Sequence, residues 1–499
     1  MFSPSRRLIL CLAAYCALES FAQPPTTRLN PLVSKVVDGV SEERIAATMK
    51  KLESFGTRYV LSEKDNPTHG IGGAQHWIFD EFKSYSPRLQ VSYDAFTLKK
   101  NQRIPQDTEL ANVVAVLPGT INKDRYVVIG GHYDSIASRR SPAGQAAQPS
   151  DDGPRSAAET DPLAPGVADD ASGTAAVMEL ARVMSQYEFD KTIVFIAFTA
   201  EEIGLNGSAN YARGAKEKNM QIEAVLNNDI IGSDTSGDGR SANNRLRVFS
   251  EGPEDSPSRA LARYTKEIAE RYMPSMTVDL VFRRDRFGRG GDHTSFAREG
   301  FAAVRLTTPS ENYTNQHSAT DTFANASVPY TTRVARMNGA VLASLALAPK
   351  PPVVSRPRPA QPPAGADSTA TAAVPAGGRQ GGGAAGAGQG GRGMQMLGRG
   401  KGYDAAMRWL APNPESDLAG YAVVIRSTTS ALWEREIYVG NVTEYTIPNL
   451  SIDDVVLGVK AIDKDGNASL VSAYDQAPLT QPARPNPAAT NPAPGGGER

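Results

Sequence analysis

The spacing of apolar residues divides this chain into unlike regions. Between Pro31 and about Leu347, amphipathic helical patterns alternate with short apolar runs, which predicts an α/β domain with a mostly parallel central sheet flanked by helices. Four runs predict strands: Tyr126 to Gly130, Thr192 to Thr199, Ala224 to Asn228 and Ala302 to Leu306. They are rich in β-branched or aromatic residues and apolar almost throughout, as strands covered on both faces should be. Ser172 to Ser185 predicts a helix whose buried side carries Ala176, Met178, Leu180, Val183 and Met184. From Tyr403 to Ala477 the pattern becomes short alternating segments, such as Val455/Leu457/Val459/Ala461, separated by turn-rich pieces such as Asp463 to Asn467. That spacing predicts an all-β sandwich of about seven strands.

Composition marks the boundaries. Residues 350–402 are dominated by Pro, Ala, Gly and Gln, which cannot bury enough apolar surface to offset chain entropy. A disordered linker is expected there, and a disordered tail over 478–499, leaving a catalytic-sized domain at 30–349 and the sandwich at 403–477. A polar, Pro-rich stretch from Ser138 to Pro165 reads as a long loop. At the N-terminus, Arg6 and Arg7, the apolar run Leu8 to Leu18 and the small-x-small triplet Ser20-Phe21-Ala22 form a secretory signal over 1–22. The protein is therefore expected to be exported, to the periplasm or the extracellular space. No later stretch is long enough to span a membrane. Both cysteines, Cys11 and Cys16, fall inside the signal, so no disulfide framework is expected. Lys+Arg 53 against Asp+Glu 54 gives a net charge of −1, which draws the chain toward neither nucleic acid nor an anionic membrane.

Potential ligands cluster at or just after the predicted strand ends: His132-Tyr133-Asp134-Ser135, Asp169-Asp170, Glu201-Glu202, Asp229 and His317. Strand carboxyl ends are where sites assemble in open α/β sheets. Singly, each has a plainer explanation. Asp169-Asp170 precedes a helix and could cap it, and Glu201-Glu202 could be solvated loop charge. Asp229 interrupts an apolar strand and needs a partner cation, because an unpaired buried carboxylate is expensive.

Taken jointly, the clusters resemble the di-zinc exopeptidases of peptidase family 28. The matching motifs are Gly131-His132-Tyr133-Asp134-Ser135, Gly166 to Gly173, Ala200-Glu201-Glu202-Ile203-Gly204-Leu205-Asn206-Gly207-Ser208, Leu226 to Gly232 and His317 to Thr322. The resemblance implies two zinc ions per chain, with His132 and Asp229 on one, Glu202 and His317 on the other, and Asp169 bridging. It also implies a cis peptide between Asp169 and Asp170. Imidazole and carboxylate suit Zn²⁺, and four positive charges on two ions would meet four negative ones on Asp169, Glu202, Asp229 and a bridging hydroxide. Glu201 is the expected general base, and Asp134 is expected to accept the second ring N–H of His132 and orient it. Asp321 could orient His317 similarly or cap a helix.

Where some relatives place a tyrosine before the last histidine to stabilise the oxyanion, this chain has Gln316, which leaves Tyr313 as the candidate. Asp292 and His293 lie in a stretch resembling the family's substrate-pocket loop and are not expected to be ligands; His69 and His76 are expected to serve packing. The preferred activity is removal of N-terminal residues from peptides. A glutamate-releasing carboxypeptidase is the alternative, with Arg283, Arg284, Arg286 and Arg289 as its basic pocket. A one-zinc glutaminyl cyclase and an inactive binding module are further readings. The sandwich resembles a fibronectin type III domain with Trp409 as its inward tryptophan, and it would bind a surface, glycan or protein partner, or act as a spacer on a flexible tether.

Overall fold

The computed structural model describes residues 29–101, 103–137, 162–284, 290–354, 396–399, 403–411 and 415–474. The expected signal, the tail and most of the linker lie outside them. Among the described residues, no helix is long and apolar enough to cross a membrane.

An eight-stranded sheet runs through the larger unit. Its strands are β1 (Gln90–Leu98), β2 (Thr108–Leu117), β3 (Asn122–His132), β4 (Lys191–Phe198), β5 (Gln221–Asn228), β6 (Arg245–Ser250), β7 (Thr277–Val281) and β8 (Ala303–Thr307). They are ordered β1-β2-β4-β3-β5-β8-β6-β7. The central run β4-β3-β5-β8 is parallel, and it holds all four strands predicted from apolar runs. The sheet as a whole is mixed, which corrects the expectation of a mostly parallel one: β1, β2 and β4 pair antiparallel, as do β6 and β8, while β6 and β7 are parallel. Of the flanking strands, β1 is a half-exposed edge and lacks a continuous apolar run, whereas β2 is buried at most of its positions.

Helices α1 (Pro31–Gly39), α2 (Glu42–Glu53), α3 (Gly70–Tyr85), α4 (Ser172–Met184), α5 (Asn206–Glu217), α6 (Pro257–Tyr272), α7 (Asp292–Arg298) and α8 (Val328–Leu347) cover the two faces. Successive residues of β3 show how. Val127 and Ile129 point into the larger core with Leu180 of α4 and Leu342 of α8, while Val128 points into a second core with Ala212 of α5 and Phe296 of α7. Helix α4, predicted over 172–185, is buried along its whole length except at Arg182, so it is a fixed platform beneath the sheet's carboxyl edge.

Among the described residues the C-terminal unit is a sandwich of seven strands: β9 (Leu397–Arg399), β10 (Ala405–Arg408), β11 (Leu418–Ser427), β12 (Arg435–Gly440), β13 (Glu444–Ile447), β14 (Val455–Asp463) and β15 (Ser472–Ala473). Sheet β13-β10-β9 faces sheet β12-β11-β14-β15, and Met407, Trp409, Tyr421, Val423 and Val459 fill the space between. Two expectations change. Strand β9 lies inside the expected linker, and Val353 bonds to Leu410, so the sandwich recruits chain from both ends of that segment. Nor does the sandwich hang from a tether: Leu470 joins the larger unit's core, and Glu415, Ala431 and Asn467 bond to Asn122, Arg263 and Asn30.

Candidate metal centre

The site grows out of the carboxyl edge of the parallel strands. His132 is the last residue of β3, Asp229 follows β5, Glu201 and Glu202 sit in the turn after β4, and His317 lies in the loop beyond β8. Asp169 and Asp170 occupy the tight turn Val167–Ala171 that opens α4, and the peptide between them is cis. Gly166 enters this turn at φ 52°, a left-handed conformation suited to glycine. At Gly173 a Cβ would lie 2.3 Å from Asp170 Oδ2, so only glycine lets the helix approach that carboxylate.

Asp169 is the hub. Its Oδ1 lies 3.1 Å from His132 Nε2, and its Oδ2 lies 3.1 Å from His317 Nε2. On one side Asp229 Oδ1 is 3.9 Å from His132 Nε2; on the other, Glu202 Oε2 is 3.1 Å from His317 Nε2. Two ligand clusters follow, His132/Asp169/Asp229 and Asp169/Glu202/His317, each with atoms within 4.8 Å of one another. Glu201 forms a third such group with His132 and Glu202, placing its carboxylate beside both. The structure thus brings together all five expected ligands and the expected base.

The supporting groups differ from expectation in instructive ways. His132 Nδ1 bonds the backbone carbonyl of Asp134 at 3.1 Å, while the Asp134 carboxylate stands 3.6 Å away. That carboxylate instead accepts the backbone amides of Glu201 and Glu202 at 3.2 and 3.3 Å. Asp134 therefore orients both glutamates with its side chain and His132 with its main chain. The helix-cap reading of Asp169-Asp170 holds for Asp170, whose Oδ1 accepts the amides of Gly173 and Ile230 and whose Oδ2 accepts that of His132. Asp321 takes the capping role: it accepts the amides of Ala168 and Asp169, at 2.8 and 3.0 Å, in the first turn of the 167–171 segment, and fixes the hub.

Two buried arginines went unnoticed in the sequence. Arg58 donates to the carbonyls of Leu52, Tyr133, Pro165 and Gly166, tying the segment after His132 to the one before Asp169. Burial lowers its pKa to about 10, against the pull of Asp321 and Asp134, so it stays charged at neutral pH. Arg305 lies 3.0 Å from Asp229 Oδ2 and is the cation that Asp229 required. Its signal was available: an arginine in the middle of an apolar strand implies a buried acid nearby. Gln316 donates from Nε2 to Asp169 Oδ2 at 3.1 Å, whereas Tyr313 is half exposed. Asp292 and His293 are buried beside the site, and His76 packs edge-on against Tyr93.

Crowded carboxylates disturb one another here. Burial raises Glu201 well above the carboxylate range, with Asp229, Glu202 and Asp292 adding to it and His132 opposing. Burial likewise pushes Asp292 and Asp321 up to about 7. Burial also works against charge on His132, but Asp134 and Asp169 outweigh it and lift the imidazole well above its usual pKa. A divalent cation among these side chains reverses each of these tendencies. The residues fit one: Glu202 Oε1 is buried without a hydrogen-bond donor, and the donor set of imidazole and carboxylate is that of zinc.

Residues 112–342 match the model of peptidase family M28. A probable zinc metalloprotease of Pyrenophora teres f. teres is 32% identical over 488 residues, covering 90% of this chain and 87% of the relative. Another of Pyricularia oryzae is 34% identical over 501 residues, covering 91% and 88%. Among solved structures, the LapA aminopeptidase of Legionella pneumophila superposes with a TM-score of 0.47 at 22% identity, over 63% of this chain and 74% of that one. Identity near one third, sustained along almost the whole length of the metalloprotease relatives, settles the family: this chain belongs to peptidase family M28 and is a zinc metallopeptidase.

Proposed function

We propose that the protein is an exported aminopeptidase holding two zinc ions, one through His132 and Asp229, the other through Glu202 and His317, with Asp169 shared. The observation that carries this reading is Asp169 itself, whose two oxygens each sit 3.1 Å from a different histidine. A carboxylate so placed can serve two cations, whereas a single ion would leave one histidine and one acid uncompensated. When bound, zinc supplies Lewis acidity and brings the pKa of water toward neutrality.

The chain's own residues do the rest. Glu201 takes a proton from the attacking water as it adds to the substrate carbonyl, then returns it to the departing amine when the C–N bond breaks. Asp134 touches no reacting atom; by holding the amides of Glu201 and Glu202 it fixes the base relative to the ligands.

Removal of N-terminal residues is favoured over the carboxypeptidase reading by charge. A free substrate amine wants carboxylates, which abound here, while a substrate carboxylate wants open arginines. Arg284 is paired with Glu251, and Arg283 bonds the carbonyl of Arg284; Arg286 and Arg289 lie outside the described residues. The sandwich is read as fibronectin type III on two supports: three strands facing four in the order given above, and Trp409 buried edge-on against Tyr421 at 5.5 Å. The functional test is a panel of free and N-blocked aminoacyl substrates assayed with and without a chelator. Hydrolysis of free-amine substrates alone, abolished by chelation and restored by zinc, is expected; preference for N-blocked peptides would overturn the aminopeptidase reading.

A further inference from the structure

The sandwich reaches toward the metal centre through one loop. Arg426 of β11 is wholly buried, and its Nη2 lies 2.9 Å from both oxygens of Asp255, in the loop between β6 and α6. Arg263 of α6 joins the same carboxylate at 3.2 Å and also bonds the carbonyl of Ala431 in the sandwich. Both guanidinium groups lie over the Trp433 ring, at 5.6 and 5.9 Å. Such an arrangement is directional, because Nη2 is shared by the two Asp255 oxygens while Nη1 donates to the carbonyls of Ser427 and Ser430, and a planar guanidinium held at two nitrogens beneath an aromatic face has little freedom to shift.

Four residues before Asp255, the same loop carries Glu251. Its carboxylate accepts Thr294 Oγ1 at 2.7 Å and Arg284 Nε at 3.0 Å, and lies 3.6 Å from His293 Nε2. Thr294 and His293 form the first turn of α7. The residue just before that helix, Gly291, lies against Asp229: a Cβ there would be 2.8 Å from Asp229 Oδ2. A path therefore runs from Arg426 to Asp255, along the loop, where Ser256 Oγ donates to the Glu251 carbonyl at 3.0 Å, and through the Glu251 carboxylate and Thr294 to the wall of the site.

We propose that Arg426 is a positioning residue for the peptidase. By holding Asp255 it sets the β6–α6 loop, and through Glu251 it fixes the first turn of α7 beside Asp229. The sandwich is then a structural part of the substrate site rather than an appendage. This inference rests on the reading that the cluster around Asp169 is the peptidase centre.

The test uses the full-length, zinc-loaded protein with Arg426→Gln, Thr294→Val and the double variant, followed by steady-state kinetics, zinc content and hydrogen exchange. Arg426→Gln should raise KM about tenfold and leave kcat within about twofold, in line with couplings carried through packed contacts. Zinc content should not change, and amide exchange over 290–298 should quicken. Thr294→Val should raise KM as well, and combining it with Arg426→Gln should add little, since both break one series of contacts. Should Arg426→Gln not fold, Arg426→Lys, which keeps the charge but loses the second nitrogen that holds the Ser427 and Ser430 carbonyls, should give the same signs with a KM rise of about threefold. Wild-type KM together with wild-type exchange in α7, or fully additive effects, would overturn the proposal. A wild-type protein inactive on every peptide would count against the functional reading alone, because the exchange measurement still decides the linkage.

Discussion

Buried acids at two places in this protein are met differently. At the sandwich interface, Asp255 faces Arg426 and Arg263, so the chain supplies its own counter-charge. At the carboxyl edge of the sheet, Asp169, Asp170, Glu201, Glu202 and Asp229 converge, and Arg305 answers one oxygen of Asp229. A surplus of buried carboxylate is costly unless cations join it. The contrast distinguishes a joint that is complete in the polypeptide from a centre built to be completed by metal.

The sharpest way to break that contrast is to remove the hub. Asp169→Ala should lose zinc and with it all measurable peptidase activity, because each proposed ion shares this carboxylate; metal analysis of the purified variant checks it. Glu201→Ala should keep its zinc and lose about 10²- to 10⁴-fold in kcat, the range expected for a general base. Wild-type turnover in that variant would remove the base assignment.

The interface responds to a different measurement. Asp255→Ala strands two buried guanidinium groups and should destabilise the protein by about 3–5 kcal/mol in chemical unfolding while leaving zinc content alone. A loss below about 1 kcal/mol would mean that the pair is solvated like an ordinary surface bridge.

The smallest effect concerns acids where the two units meet. Burial, with Asp417 and Asp463 of the sandwich adding to it, raises Asp190 from 3.8 to about 6, and burial likewise raises Asp463 to about 6. A folded-state pKa above the unfolded one gives stability that is complete below about pH 4 and is lost as pH rises through about 6. Asp190→Asn should flatten that decline. Thermal midpoints of both proteins between pH 4 and pH 7 check it, and parallel curves would count against it.

How much of this was readable in advance depended on range. The four central strands and α4 announce themselves through continuous or periodic apolar residues, and the ligand clusters through short motifs, four of which carry glycine. The flanking strands β1 and β7 lacked that continuity because they are less fully covered. Partners distant in sequence left fainter traces. Nothing near Arg58 says that it will clasp four carbonyls, and the division of labour between Asp169 and Asp170 depends on backbone amides from β3 and β5. Arg305 did leave a mark, since it interrupts an apolar strand, while Arg426 stands at the end of one, and each turned out to hold a buried acid. The docked sandwich was obscured by the low-complexity segment preceding it, which resembles a tether by composition.

If the acids around Asp169 are arranged for a pair of zinc ions, the zinc content per chain of extensively dialysed full-length protein decides it. About two ions are expected in the wild type, as a co-catalytic pair requires, and none in Asp169→Ala. A wild-type protein that stays active with one zinc or none, or an Asp169→Ala variant that keeps the wild-type complement, would contradict it.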